Sequence, residues 1–415
     1  MVVSDGPPTH PVLYRALPAG HTHYANASLA RLFVTLTHET EWGGAKPHLV
    51  RFEGPVRVAL EGSAAASYGP FLDDYMTYLR RHTGIDISRV PGPGNMTIRL
   101  VPGRLFTSLL PDAACVLVSG DVSWDDFADR PDAMGGIAMT RARALEAVTI
   151  FIPDMAIPAD LRRCLLEEIA QGLGPVNDLY GLGPSVFNDD FGHLWPTRLD
   201  LLMLRVLYDP SLETGLGRAE TERRARAVLD RINPAGRRAA PLPPAEHRAE
   251  ARWRSLVGEV LRSDRSAEAR RLAARDALGF AEAALPGTPW HCHSLALRAQ
   301  VEKRADPALA ARLLSQAETV CARVHGAEDP RLAQARLTRA GIALAQADPE
   351  TALAATDGLA PTLAGHGLDE ALAAYYALRA RALLSLGREA DGRAASQAAA
   401  AWGAYAIGRA AKGTR

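Results

Sequence analysis

Long apolar runs are missing from this 415-residue chain. No stretch reaches the ~18 consecutive apolar residues of a membrane-crossing helix, so nothing is expected to span a bilayer. Net charge is missing too: 47 Lys and Arg cancel 47 Asp and Glu. That excludes a dedicated nucleic-acid binder, which needs a positive face to displace counterions. Short arginine groups such as Arg223–Arg226 and Arg270–Arg275 are interleaved with Ala, Leu and Glu, and read as solvated helix faces. The opening MVVSDGPPTHPVLYRALPAG has no basic segment followed by an apolar one, so it is not a secretory leader. The expectation is a cytoplasmic protein, or an exported one in mature form. There are only four cysteines and no CxxC pair, which argues against a cysteine zinc site. No GxxxxGK[ST] phosphate loop and no G-x-S-x-G nucleophile elbow occurs.

What remains is the composition of an ordinary globular protein, 47% hydrophobic and 23% charged, long enough for two or three domains. Residues up to about 235 mix strand and helix signals. Helices are expected over Ala27–Thr40, Tyr68–Gly84, Ala159–Leu173, Thr197–Tyr208 and Arg218–Ile232. Strands are expected over Pro55–Gly62, Asn95–Gly103, Ala113–Ser119 and Ala147–Asp154. Alternation of this kind implies a mixed sheet with helices packed on it. The stretch Asn233–His247 carries four prolines and no apolar period, and reads as the interdomain linker, the division between domains being set at residues 236–247.

Beyond it strands disappear. Ala267–Ala284, Pro289–Arg304, Pro307–Val324, Pro330–Gln346, Glu350–Leu363, Asp369–Leu386 and Glu389–Ile407 read as helices. The break Ala305-Asp306-Pro307 recurs as Ala347-Asp348-Pro349, with Leu386-Gly387-Arg388 about 40 residues later. Helix pairs of this period stack into solenoids, because one pair cannot bury its apolar face alone. Residues 248–415 therefore resemble tetratricopeptide repeats, above all over Ala373–Ala401, although the period is longer than that family's.

Cys115 sits in an apparent buried strand and Cys164 near the start of an amphipathic helix; a disulfide or two inert thiols are both open. Cys292 and Cys321 lie on successive expected helices and read as buried thiols. His291 and His293 flank Cys292, but neighbouring residues on a helix point in different directions, so three ligands would not converge.

The stretch that should carry chemistry is Glu167–Asp178, EEIAQGLGPVND. Its layout resembles the HExxHxxGxxH zinc helix of the metzincin metalloproteases. There two histidines one turn apart bind zinc, a glutamate acts as general base, and a glycine turns the chain to bring in a third ligand. In this chain Glu167 stands at the first ligand position, Glu168 at the general base, Gln171 at the second ligand, Gly174 at the turn and Asn177 at the third ligand. Ser185-Val186-Phe187 stands at the methionine turn, with Phe187 for the methionine, and Thr197–Tyr208 resembles the closing helix. The chain is similar, still more closely, to an uncharacterised domain-of-unknown-function family of exported bacterial proteins with comparable E-E-x-x-Q-x-L-G-x-x-N-D and S-x-F-N-D stretches. That resemblance includes cysteines at the places of Cys115 and Cys164, and implies a disulfide and a periplasmic or extracellular home, the cytoplasm staying open.

These resemblances imply an α+β zincin-like domain over residues 1–235 followed by an all-α, tetratricopeptide-like domain over 248–415. The departures bear on chemistry. The amides of Gln171 and Asn177 are poor zinc ligands, so no zinc and no other cofactor is expected. Asp178, Asp189, Asp190 and His193 fall around the same expected cleft, and with Glu167 could hold a hard cation or work as an acid/base pair. The plainer reading is that Asn188, Asp189 and Asp190 cap a turn. The expectation is a non-catalytic envelope scaffold that holds a protein or peptide through its old cleft, beside an edge strand sought in AVTIFIP, and through its helical repeats. The alternative is a peptidase-type hydrolase with an unconventional acidic centre on Glu168.

Overall fold

Where apolar residues alternate or run together the chain forms strands, and where they recur every three to four residues it forms helices. The computed structural model describes residues 7, 24–40, 44–62, 64–131, 143–179, 185–188, 195–241, 247–262, 264–327 and 329–408. Described residues 24–179 and 185–241 pack as one compact unit, and 247–408 as another.

The first unit is α+β. In chain order it holds α1 (Asn26–His38), β1 (Val56–Leu60), α2 (Ala64–Thr83), β2 (Ile87–Val90), β3 (Met96–Val101), α3 (Gly103–Leu109), β4 (Val116–Ser119), α4 (Trp124–Asp129) and β5 (Val148–Pro153). Then come α5 (Pro158–Gly172), α6 (Arg198–Leu207) and α7 (Arg218–Ile232). The sheet is mixed, in the order β2-β1-β3-β5-β4: the first four strands are parallel and β4 runs antiparallel to β5.

The edge strands among the described residues are therefore β2 and β4, and the expectation that AVTIFIP forms an edge is corrected. β5 lies between β3 and β4, with Ile150 opposite Ile98 on one side and Leu117 on the other. Its burial on both faces explains the unbroken apolar run. On one face Phe151, Val101 and Val118 pack with Phe106 of α3 and Phe127 of α4, with Trp124 stacked on Phe106. On the other face Met96, Leu117 and Val148 crowd Gly172 of α5; a Cβ there would come within 3.0 Å of the Met96 Cε. Thr149 is fully buried in this sheet and satisfied: its hydroxyl donates to the Gly120 carbonyl and accepts from the Val122 amide.

Among the described residues, β2, α3, α4 and a 3-10 turn over Pro234–Arg237 are absent from the sequence reading. β2 has a single fully buried side chain, Ile87, and so lacks an alternating signature. α3 and α4 are one or two turns long, and are held by burying Phe106 and Phe127.

The second unit is all helix: α8 (His247–Leu261), α9 (Ala267–Ala284), α10 (Pro289–Glu302), α11 (Pro307–His325), α12 (Pro330–Ala345), α13 (Pro349–Thr356), α14 (Leu359–Gly365), α15 (Asp369–Ser385) and α16 (Glu389–Ile407). α8, which starts at the last residue of the expected linker, is absent from the sequence reading; it buries Trp253, Val257 and Val260 on one face. The helix expected over Glu350–Leu363 is two, because Gly358 adopts φ +70° and starts a new one. α11, α12 and α13 each begin on an Asp-Pro pair. Asp306, Asp329 and Asp348 accept from the Leu309, Arg331 and Thr351 amides, while proline fills a position whose N–H would have no partner.

Cys292 and Cys321 are not free thiols: they form a disulfide that ties α10 to α11, with Cα atoms 5.1 Å apart. This corrects the sequence reading, in which the 29-residue separation carried no pairing signal. His293 beside it is buried, edge-on to Trp253, and burial pushes its pKa down to about 3, so the ring stays neutral. His291 accepts from the Gly287 amide.

Candidate functional site

α5 starts with Pro158 at its first position and Asp160 in its first turn, both favourable at a helix N-terminus. Its buried residues run almost around the helix, as befits an element enclosed on several sides. Gly172 lets it settle on the sheet, the Tyr75 hydroxyl of α2 donates to the Leu166 carbonyl at 2.9 Å, and a disulfide joins Cys164 to Cys115 at the entry to β4. The Cα atoms of that pair are 6.0 Å apart.

On this fixed helix Glu167 is half-buried, while Glu168 and Gln171 are buried. The Gln171 amide nitrogen donates to Asp178 Oδ1 at 3.1 Å, and reaches Glu167 Oε1 at the outer limit of 3.5 Å. Glu167, Gln171 and Asp178 are thus brought together. Asn177 is not brought to Gln171: its amide donates to the Thr35 carbonyl of α1 at 3.0 Å. The residue that closes on the helix is Asp178, one position later than the metzincin spacing suggests.

The turn between them depends on Gly174. Its φ is +138°, and a Cβ there would stand 2.7 Å from the Val50 carbonyl oxygen. The loop is pinned from three sides. The Tyr208 hydroxyl donates to the Leu173 carbonyl, the Lys46 ammonium donates to the Gly174 carbonyl at 3.3 Å, and the Leu179 amide donates to the Phe187 carbonyl. Burial pushes the Lys46 pKa down to about 8. Lys46 in turn offers its carbonyl to His38 Nδ1, while His38 Nε2 meets the Thr221 hydroxyl; burial drives this imidazole down to about 4 and keeps it neutral.

Ser185, Val186 and Phe187 form a buried turn organised by Asp200 of α6. The Asp200 carboxylate accepts from the Ser185 hydroxyl, the Val186 amide, and both the amide and hydroxyl of Thr197, closing a capping box at the start of α6. Its total burial outweighs these four donors and raises its pKa to about 6. Phe187 is fully buried and Asn188 nearly so. Asp189, Asp190 and His193 lie outside the described residues.

A zinc ion does not fit the described side chains. The group at the second ligand position is an amide whose nitrogen already donates to two carboxylates, and the amide at the third is turned to α1. Among the described residues no three His, Cys, Asp or Glu side chains gather as a cation site.

One residue the sequence did not single out, Lys46, matters here, and Tyr208 reads in it only as the end of the closing helix. Lys46 and Tyr208 hold the turn, Lys46 from 128 positions away, and a lone lysine between alanine and proline carries no motif that could have announced it. No curated protein matches the chain. Residues 26–227, the span that holds this helix, its turn and the closing helix, match the family model described as Protein of unknown function (DUF2927).

Proposed function

We propose that the chain is a non-catalytic binding or scaffold protein of the bacterial envelope, in which a zincin-like unit without zinc ligands is joined to a protein-binding, tetratricopeptide-like helical unit. The observation that carries this reading is the Gln171 amide, which donates to Asp178 and Glu167 where a protease would turn an imidazole toward its metal. An amide nitrogen engaged by two carboxylates is a structural clasp, and it has no lone pair to offer a cation. The zincin-like assignment draws support from four parallel strands with one antiparallel edge, from the helix that follows the strand beside that edge, and from the Gly174 turn. Among the described residues no strand pairs with the outer side of β4, so an extended peptide can add there. Two disulfides favour an oxidising compartment.

The test is elemental analysis of the purified full chain by inductively coupled plasma mass spectrometry, beside peptidase assays of the wild type and Glu168→Gln. No stoichiometric transition metal and no turnover are expected. One equivalent of such a metal, or a peptidase activity that Glu168→Gln abolishes without changing the melting temperature, would overturn the reading in favour of a hydrolase.

A further inference from the structure

In the helical unit, α11, α12 and the start of α13 turn one face each toward a common groove of about 470 Å³. Arg312, Ser315 and Gln316 share one face of α11 through their spacing of three and four residues. Arg339, Ile342, Ala343 and Gln346 do the same on α12. Ile342 and Ala343 are buried and give the groove an apolar floor. The rim is polar, with the charge of three side chains to balance. Arg339 is closed by Glu318 at 2.8 Å, and Asp348 accepts the Thr351 amide as the cap of α13. Arg312 and Asp348 have no ion-pair partner among the described residues, and of the two only Asp348 is engaged, by the backbone amide at the α13 cap.

An open concavity over an apolar floor, with amide donors and one unpaired guanidinium, is complementary to a chain segment that is small and apolar at one residue and anionic at the next. A guanidinium recognises a carboxylate through paired N–H donors, which makes such a contact both strong and directional. We propose that this groove docks an extended segment of a protein partner, with an Asp or Glu side chain of that segment paired to Arg312. The proposal rests on reading the helical unit as protein-binding, and names the partner's chemistry.

The experiment uses phage-displayed random octapeptides panned on the immobilised full chain, as wild type, Arg312→Gln and Arg312→Glu, each first checked for an unchanged melting curve. Wild type should enrich Asp or Glu at one position beside small apolar residues. Arg312→Glu should exchange that preference for Lys or Arg. By fluorescence polarisation, a selected acidic octapeptide should bind Arg312→Gln about tenfold more weakly than wild type, the loss of one charge-assisted contact. Peptides enriched without an acidic preference, or with one that both variants keep, would overturn the Arg312 site while leaving the protein-binding reading intact. Failure of all three proteins to enrich any peptide would overturn the groove as a docking site.

Discussion

Replacing Gly174 with alanine is the sharpest test of how the turn after α5 is built. The glycine sits at φ +138°, a region that side-chain-bearing residues enter at a cost of about 1–3 kcal/mol. The new methyl would also stand 2.7 Å from the Val50 carbonyl oxygen and 3.0 Å from Leu207 Cδ2. The leucine can rotate away, but the carbonyl belongs to the chain and can move only with it, an overpacking cost of another ~1–3 kcal/mol. Together these suggest about 4 kcal/mol. For a unit of this size that corresponds to a fall on the order of 10 °C in melting temperature. Differential scanning calorimetry of the full chain is the assay. The transition of the α+β unit should drop, and that of the helical unit should stay in place. Gly54→Ala is the control, because no atom lies within 4 Å of the place its methyl would take, and it should move neither transition by more than ~1 °C. A fall of less than ~3 °C in Gly174→Ala would refute the reasoning.

Two further outcomes follow from buried chemistry. Cys292→Ala with Cys321→Ala removes a loop constraint of 29 residues in separation, worth about 3.6 kcal/mol by chain entropy, and should lower the urea midpoint of the helical unit; no change in midpoint would mean that the bond does not form. Alkylation of the unreduced, unfolded wild type should leave all four cysteines untouched, and four alkylated thiols would contradict both bonds. Lys46 has its pKa lowered from 10.5 to about 8, so between these values the folded state has released a proton that the unfolded chain still holds. Stability therefore rises with pH across that window, and the penalty is fully present below pH 8. Chemical denaturation from about pH 7 to 11 should show a gain of about 3 kcal/mol in wild type relative to Lys46→Met; parallel profiles would contradict the burial of this ammonium.

Much of the fold was legible where pattern and burial coincide. Asn95–Gly103, Ala147–Asp154 and the helix through Glu167 were readable because their apolar residues lie on faces that the sheet and helices do bury. The rank of β5 in the sheet was misread for the same reason in reverse: an unbroken apolar run marks a strand covered on two faces, and the edge beside it fell to the short Val116–Ser119. α4 left a legible trace, Ser123 three residues before Asp126, whose amide the serine hydroxyl accepts. The candidate site was legible as a string of residue types, yet its wiring was not. That Asn177 turns to Thr35 and Asp178 to Gln171 follows from the angle at which the Gly174 turn leaves the helix, and from the Val50 and Leu207 walls around it. Those walls come from segments more than a hundred residues before and thirty after, which no local pattern reports.

The bond between Cys115 and Cys164 has a consequence for survival among proteases. It encloses β4, α4, β5 and the first half of α5 in one covalent ring, with a sequence separation of 49. A single cut anywhere inside that ring opens the chain without releasing a fragment, because both ends stay on the same sulfur bridge. A nicked molecule would run as intact on a non-reducing gel and split only with reductant, and its edge strand would remain moored to the helix that bears Glu167 and Gln171.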